Sequence, residues 1–283
     1  MPGSSLWLIP PARDPFNRTL QTQITSMVPQ RFTAKTHDFI PHITLTSNIN
    51  PHLHEPDAQA WLDSLDFDLE ALIARNAAQE ADSAAAEKRA LEAGNLEPPT
   101  APPPTSSDPE KAALASDDSL PVAESEKPVP APAAMTTTTT TTTSLPKAVE
   151  VNLTELEADD PFFRKLTLKA NKPCPGLSAL ATAARAQGCY SGDVDTARSW
   201  EKDEYRPHLS LCYADVPREE AQKKIPGVLQ DLVRAKAILK PARDGTVARG
   251  GVIVLVPTDK EIEQWKPIAS RKVDDVVWRW TMT

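Results

Sequence analysis

An interior tract, residues 97–145, most limits what this chain can fold into. It contains proline clusters such as Pro102-Pro103-Pro104 and an unbroken threonine run from Thr136 to Thr143, but almost no large apolar side chains. Such a segment cannot bury enough surface to offset the conformational entropy lost on ordering. We therefore predict a disordered insertion, so that the fold must be assembled from the two segments on either side of it.

The two flanking segments are predicted to form one discontinuous domain, from residues 1–75 and 148–283. Both contain alternating apolar runs typical of strands and spaced apolar runs typical of helices. Residues 76–147 are predicted to be a helical extension followed by the low-complexity insertion. The extension continues a helix over 57–92, for which Asp57 is the candidate N-cap and whose apolar stripe fades after Ile73. A later helix is predicted over 216–237, and Pro226 is expected to break or restart it.

The charge of the chain limits its partners. The net charge is -8, and residues 79–147 alone hold eleven Asp and Glu against five Lys and Arg, which leaves the rest near neutral. No general basic footprint is present, so we expect no long nucleic acid as a partner. A small anionic substrate is still compatible, because a pocket can be positive on an acidic protein.

The sequence shows no stretch long enough to cross a bilayer as a transmembrane segment. The short apolar run near the N-terminus is not preceded by the basic segment of a signal peptide. We therefore expect a cytoplasmic protein by default, and we expect it to be a monomer.

Two pentads carry the functional signal, one in each flanking segment. They are Pro41-His42-Ile43-Thr44-Leu45 and Pro207-His208-Leu209-Ser210-Leu211, and both read proline, histidine, apolar, hydroxyl, leucine. A single His-x-Thr on a strand is more often structural than functional. The chain has only five histidines, however, so a matched pair of pentads favours function over coincidence.

Strand geometry gives the repeat a chemical meaning. Residues i and i+2 of a strand point to the same face, so His42 projects with Thr44, and His208 projects with Ser210. The apolar residue between them points into the core and holds the register. If the two halves are related by a pseudo-twofold axis, the two pairs face each other across a cleft.

Such a site suits hydrolysis of a phosphodiester. One imidazole takes a proton from water while the other gives a proton to the leaving oxygen, and histidine reaches both states near neutral pH. The hydroxyls can donate hydrogen bonds to the non-bridging phosphate oxygens. This chemistry needs no metal ion and no other cofactor. A second histidine group, His52-x-His54-Glu55, lacks further partner ligands, and with His37 it is predicted to lie at the surface or in loops.

At these residues the sequence resembles the 2H phosphoesterase superfamily, which is named for two His-x-Ser/Thr motifs. More narrowly, it resembles the fungal 2′,3′-cyclic-nucleotide 3′-phosphodiesterases. The resemblance is carried by residues 5–11, 39–47 and 205–213 and extends over both flanking segments. It implies an α+β fold with two lobes, in which antiparallel sheets line a central cleft, helices lie outside and the disordered insertion interrupts the chain.

The resemblance also implies an activity and residue roles. The activity is hydrolysis of nucleoside 2′,3′-cyclic phosphates to 2′-phosphates, and of ADP-ribose 1″,2″-cyclic phosphate, a by-product of tRNA splicing, to ADP-ribose 1″-phosphate. By resemblance His42 accepts a proton and His208 donates one, while Thr44 and Ser210 bind phosphate; the residues alone do not decide which histidine is which. Tyr213 is a further candidate ligand contact, although regular strand parity would place it on the opposite face. A fungal relative is associated with the Golgi, so the resemblance gives Golgi association as an alternative expectation for localisation.

Three alternatives remain open at this stage. Another 2H activity, such as RNA 2′–5′ ligation or RNA-end trimming, would require a basic groove beside the cleft. A catalytically silent module that binds a nucleotide or a partner protein would not need both histidines and both hydroxyls. The proline-rich insertion could add an interaction role by adopting polyproline II.

Overall fold

The computed structural model describes residues 3–92 and 148–282. These belong to a unit that contains residues 3–81 and 148–282, and to a second unit, Asp82–Ser144, of which residues 82–92 are described. The predicted disordered insertion, 97–145, lies outside the described residues. No helix in the two described ranges is long and apolar enough to span a membrane.

Strands and helices alternate along the described chain. The strands are β1 (Ser4–Ile9), β2 (Ile43–Ile49), β3 (Val149–Ala158), β4 (Leu166–Ala170), β5 (His208–Cys212), β6 (Thr246–Pro257) and β7 (Ala269–Trp280). The helices are α1 (Pro15–Thr22), α2 (Ala58–Ser64), α3 (Leu69–Glu92), α4 (Pro175–Cys189), α5 (Val194–Asp203) and α6 (Arg218–Leu239). The predicted α+β class is confirmed.

The strands close into a barrel in the order β1-β2-β5-β4-β3-β7-β6. Neighbouring strands are antiparallel, as predicted, except for β3 and β7, which run parallel. Helix α4 packs on β2 and β3, and α6 packs on β3. The barrel therefore draws β1 and β2 from the first flanking segment and β3 to β7 from the second, and the two segments meet where β2 pairs with β5 and where β1 pairs with β6.

Helix α1 shows how local sequence and core packing agree. Asp14 caps the helix by accepting a hydrogen bond from the Phe16 backbone at 2.8 Å, and a proline follows it at the first helical position. Phe16 is fully buried against Trp278 and Trp280, with ring centroids 5.9 and 5.8 Å away. The two tryptophans share a buried face, as the alternation of β7 predicts.

The helix predicted over 57–92 is broken into α2 and α3 between residues 65 and 68. Asp57 caps α2 as predicted, and Asp68 caps α3 by accepting from a backbone amide at 3.0 Å. Between the two helices, the Gln187 side chain binds both the amide and the carbonyl of Asp66, at 2.8 and 3.1 Å. This contact from α4 satisfies the backbone groups that the break leaves without helical partners. Because Gln187 is distant in the chain, the apolar periodicity of residues 57–92 could not reveal the break.

Helix α6 continues through Pro226, although proline was predicted to break or restart it. Side chains on both sides of the proline, including Ala221 and Leu232, are fully buried. The buried Asp231 carboxylate also pairs with Arg31 at 2.5 Å. We infer that packing on both sides of the proline outweighs the lost backbone hydrogen bond, which costs about 3 kcal/mol in an isolated helix.

Candidate active site

The two pentads lie side by side on adjoining strands. β2 and β5 pair antiparallel with Ile43 opposite Leu209, and both of these side chains are fully buried, as predicted. In this register each motif histidine is set opposite the hydroxyl residue of the other motif. The tertiary structure therefore brings the four side chains together, although their pentads are far apart in the chain.

Both motif histidines are held by the same local device. His42 Nδ1 lies 2.6 Å from the Ile40 carbonyl oxygen, and His208 Nδ1 lies 2.7 Å from the Arg206 carbonyl oxygen. A carbonyl can only accept, so in each ring Nδ1 carries the proton and Nε2 of the neutral imidazole has a free lone pair. A proline stands before each histidine and restrains the preceding residue to an extended backbone, so that both carbonyls lie in the same position relative to the ring.

His42 is enclosed by aromatic side chains. Its ring stacks on Trp7 with a centroid distance of 3.7 Å and an interplanar angle of 11°. The side chain is 4% exposed. The pKa of His42 is lowered to about 4, mainly because burial disfavours the charged imidazolium. The hydrogen bond to the Ile40 carbonyl raises the pKa by less, and the charge of His208 lowers it further. His42 is therefore neutral at pH 7, with Nε2 able to accept a proton.

Tyr213 lies on the same side as His42, contrary to its strand parity. β5 ends at Cys212, so the backbone leaves regular strand geometry before Tyr213. The Tyr213 ring stacks on Phe39 at 3.8 Å, and its hydroxyl lies 3.4 Å from His42 Nε2. Burial raises the pKa of Tyr213, partly offset by a hydrogen bond with Ser210, so the phenol keeps its proton and can donate it to a hydrogen bond.

His208 faces a cleft of about 560 Å³ that is lined by residues of β4 and the segments on either side of it, by the end of α5 and by the residues before β5. The side chain is half-buried, and burial lowers the pKa of His208. The Arg206 carbonyl and the Asp159 carboxylate raise this pKa, while Arg164 lowers it. His208 thus has a nearby carboxylate that favours its protonated form and a more open position than His42.

The two motif hydroxyls differ in their surroundings. Ser210 is buried and donates a hydrogen bond to the Phe163 carbonyl at 2.9 Å. Thr44 is half-buried and pairs across β1 and β2 with Trp7. Within the described ranges the Thr44 hydroxyl has no hydrogen-bond partner. It is therefore free to donate to a ligand, whereas Ser210 would have to rotate its hydroxyl.

Comparison with known proteins places this geometry in a family. Residues 1–89 and 122–273 match the family described as cyclic phosphodiesterase-like protein. The chain belongs to the cyclic phosphodiesterase-like family. A relative from Phaeosphaeria nodorum, named 2′,3′-cyclic-nucleotide 3′-phosphodiesterase, is 30% identical over 274 residues, which cover 96% of this chain and 100% of the relative. A Neurospora crassa protein of the same name is 26% identical over 96% of this chain and 99% of its own length.

Membership in the cyclic phosphodiesterase-like family confirms the resemblance recognised at the two pentads. The chain spans essentially the whole length of both relatives, so the match is not limited to the motifs. Within the family fold, the described residues bring together all five site residues predicted from sequence: His42, Thr44, His208, Ser210 and Tyr213.

Sequence reasoning missed the aromatic residues around the pair. Neither Trp7 nor Phe39 was predicted to be a site residue. A signal for Phe39 exists, because an aromatic residue stands three positions before each motif histidine, Phe39 in one repeat and Tyr205 in the other. Both are buried in this cyclic phosphodiesterase-like protein.

The other histidines have partners of their own. His37 lies 3.2 Å from Glu263, and the exposed His52 lies 3.1 Å from Glu55. His54 is buried rather than at the surface, with Nε2 3.0 Å from the Ser4 hydroxyl. In the described part of this cyclic phosphodiesterase-like chain, no group of three or more His, Cys, Asp or Glu side chains could hold a metal ion.

Proposed function

We propose that this protein hydrolyses nucleoside 2′,3′-cyclic phosphates to nucleoside 2′-phosphates, using His42 and His208 as an acid–base pair. The observation that carries this proposal is the pair of imidazoles at the starts of adjoining strands, each with Nδ1 bound to the carbonyl two residues earlier. The relatives from Phaeosphaeria nodorum and Neurospora crassa bear the name of that activity.

The surroundings of the two histidines favour different roles. His42 is buried against aromatic rings and neutral, so its Nε2 takes a proton from the attacking water. His208 is more open, and Asp159 and the charge of a bound cyclic phosphate both favour its imidazolium form. The water oxygen bonds to phosphorus, the bond to the ribose 3′ oxygen breaks, and His208 gives that oxygen its proton. The product is the 2′-phosphate with a free 3′-hydroxyl.

The hydroxyl groups complete the site by binding phosphate oxygens. Thr44 donates to a non-bridging oxygen without giving up an existing bond, and Ser210 does so by releasing the Phe163 carbonyl. Tyr213, beside His42 Nε2, is placed to contact either the phosphate or the attacking water. Such donors are most effective where negative charge builds in the transition state. No step of this mechanism requires a metal ion.

ADP-ribose 1″,2″-cyclic phosphate is a second proposed substrate, with ADP-ribose 1″-phosphate as its product. It presents the same reacting group, a five-membered cyclic phosphate on a ribose. The remainder of the molecule needs space beyond the histidines, and the cleft beside His208 provides it. Its volume of about 560 Å³ lies within the range of sites that enclose small-molecule ligands.

The direct test is product identification. We expect the protein, in excess EDTA, to convert adenosine 2′,3′-cyclic phosphate and ADP-ribose 1″,2″-cyclic phosphate, and phosphorus NMR should show adenosine 2′-phosphate from the first. A 3′-phosphate product would contradict the proposed bond cleavage. Preferential turnover of an oligonucleotide with a cyclic 3′ end would favour the RNA-end alternative, and no turnover by folded protein would favour a silent binding module.

The pH dependence of kcat/KM should have its maximum on the acidic side of neutrality. The base must be unprotonated, so the rate should rise as pH increases through the His42 pKa of about 4. The acid must be protonated, so the rate should fall as pH increases through the His208 pKa, which burial lowers from 6.5. Steady-state rates with circular dichroism at each pH would check this. A rate that rises steadily through neutral pH would contradict it.

A further inference from the structure

We propose that the cleft beside His208 binds a second phosphate group, so that this enzyme prefers nucleotides that carry another phosphate besides the cyclic one. We call this space the basic cleft. Its positively charged and titratable lining is Arg164, Lys169, Lys172, Lys202, Arg206 and His208. The inference deepens the proposed function and rests on it, because it names the class of substrate that the same site selects.

The charge of the basic cleft is opposite to that of the chain. Five Lys and Arg line it against two carboxylates, Glu157 and Asp159, and a third carboxylate, Glu201, pairs with Lys172 at 2.7 Å. The remaining excess of cations contrasts with the net charge of -8 of the whole protein. A local excess of cations in a concave site raises the local concentration of anions. A ligand with more than one negative charge gains most from such a site.

Two of the cations are held in place by those carboxylates. Lys169 Nζ lies 2.5 Å from Glu157, and Arg164 lies 2.9 Å from Asp159. Lys169 is also the β4 partner of His208 across the strand pair. Directly opposed residues on neighbouring strands have Cβ atoms about 5 Å apart and project from the same face. Lys169 therefore lies at the end of the basic cleft that adjoins His208, the histidine that is proposed to protonate the leaving oxygen.

Two further cations have no carboxylate partner among the residues that the structure describes. There, Arg206 donates hydrogen bonds to carbonyl oxygens, those of Tyr205 at 3.0 Å and Asp203 at 2.8 Å. Lys202 is exposed and forms no ion pair within residues 3–92 and 148–282. Neither charge is neutralised by a carboxylate within the described residues. An anion in the basic cleft can therefore form ion pairs with both Arg206 and Lys202.

The position of the basic cleft separates it from the scissile phosphate. Its wall includes His208 but not His42, Thr44 or Ser210, and it extends to the end of α5 at Lys202. The cyclic phosphate must lie between the two histidines for acid–base catalysis. The basic cleft therefore receives a part of the substrate that projects past His208. Because the cleft is positively charged, we infer that this part is a phosphate.

Two substrates that differ by one phosphate test this inference. We expect kcat/KM for adenosine 5′-phosphate 2′,3′-cyclic phosphate to exceed that for adenosine 2′,3′-cyclic phosphate by on the order of tenfold, the effect of one charge-assisted contact. Lys169→Gln with Lys202→Gln should bring this ratio close to one. Lys223→Gln with Lys240→Gln is the matched control: it also removes two positive charges, from exposed positions in α6 and at its C-terminal cap that do not line the basic cleft, and should keep the ratio. Equal kcat/KM for the two substrates in the wild type would overturn the inference.

A binding measurement separates failure of this inference from failure of the proposed function. Isothermal titration calorimetry should show that adenosine 2′,5′-bisphosphate binds on the order of tenfold more tightly than adenosine 2′-phosphate. The double variant should lose this difference, and the control variant should retain it. Equal affinities in the wild type would overturn the second-phosphate site whether or not turnover occurs. An affinity difference without turnover of either cyclic phosphate would support the binding site and contradict the proposed reaction.

Discussion

His42→Ala and His208→Ala should each lower kcat for adenosine 2′,3′-cyclic phosphate by on the order of 10²–10⁴-fold, because each removes one partner of the proposed general acid–base catalysis. In the proposed mechanism His42 takes the proton from water, and His208 protonates the leaving oxygen. Steady-state kinetics, with circular dichroism to show that each variant is folded, measure the effect.

The control is His52→Ala, whose side chain is 84% exposed and pairs with Glu55. This control should retain the wild-type rate. The residual activity of each site variant also tests its role. His208→Ala should lose the fall in rate at higher pH, and His42→Ala should lose the rise at lower pH. A motif histidine whose replacement leaves kcat unchanged does not belong to the pair.

Trp7→Ala should destabilise the protein by about 3–5 kcal/mol, the usual cost of truncating a large buried aromatic side chain. Trp7 is 2% exposed, stacks on His42 and meets Trp265 edge-on with centroids 5.9 Å apart. A typical domain has a free energy of unfolding of about 5–15 kcal/mol, so this loss is a large share of the total. Urea denaturation followed by far-ultraviolet circular dichroism would show a lower midpoint.

Two comparisons show whether the loss arises from packing against the imidazole. Trp7→Phe keeps an aromatic ring at the stack and should cost less than Trp7→Ala. Leu53→Ala shortens an apolar side chain that is 48% exposed and should change the unfolding free energy little. If Trp7→Ala unfolds at the wild-type urea concentration, Trp7 does not support the site through packing.

Local sequence was sufficient for most of the secondary structure. The alternation in β1, the hairpin of β3 and β4, and the capped start of α1 each depend on residues close together in the chain. The predictions failed where a distant contact outweighed local preference. Gln187 satisfies the break between α2 and α3, and buried side chains on both sides hold α6 through Pro226.

By itself, the sequence determined the chemistry that the proposed site contains. Two matched pentads identified His42, Thr44, His208 and Ser210, because strand periodicity puts each histidine and hydroxyl on one face whatever the rest of the fold does. The family resemblance rests on the same local patterns, and the α+β class was expected from that resemblance. These features depend on neighbours two to four residues away, which a sequence displays directly.

Only the tertiary structure decided how those groups are arranged and charged. The pairing of β2 with β5 brings the pentads together, and the end of β5 turns Tyr213 towards His42 against its expected parity. Burial against Trp7 lowers the pKa of His42, so that its imidazole is neutral. The cations of the basic cleft lie close together because β4 and the end of α5 line the same cleft. Strand register, desolvation and the sum of nearby charges all depend on residues that are far apart in the chain, so no local pattern encodes them.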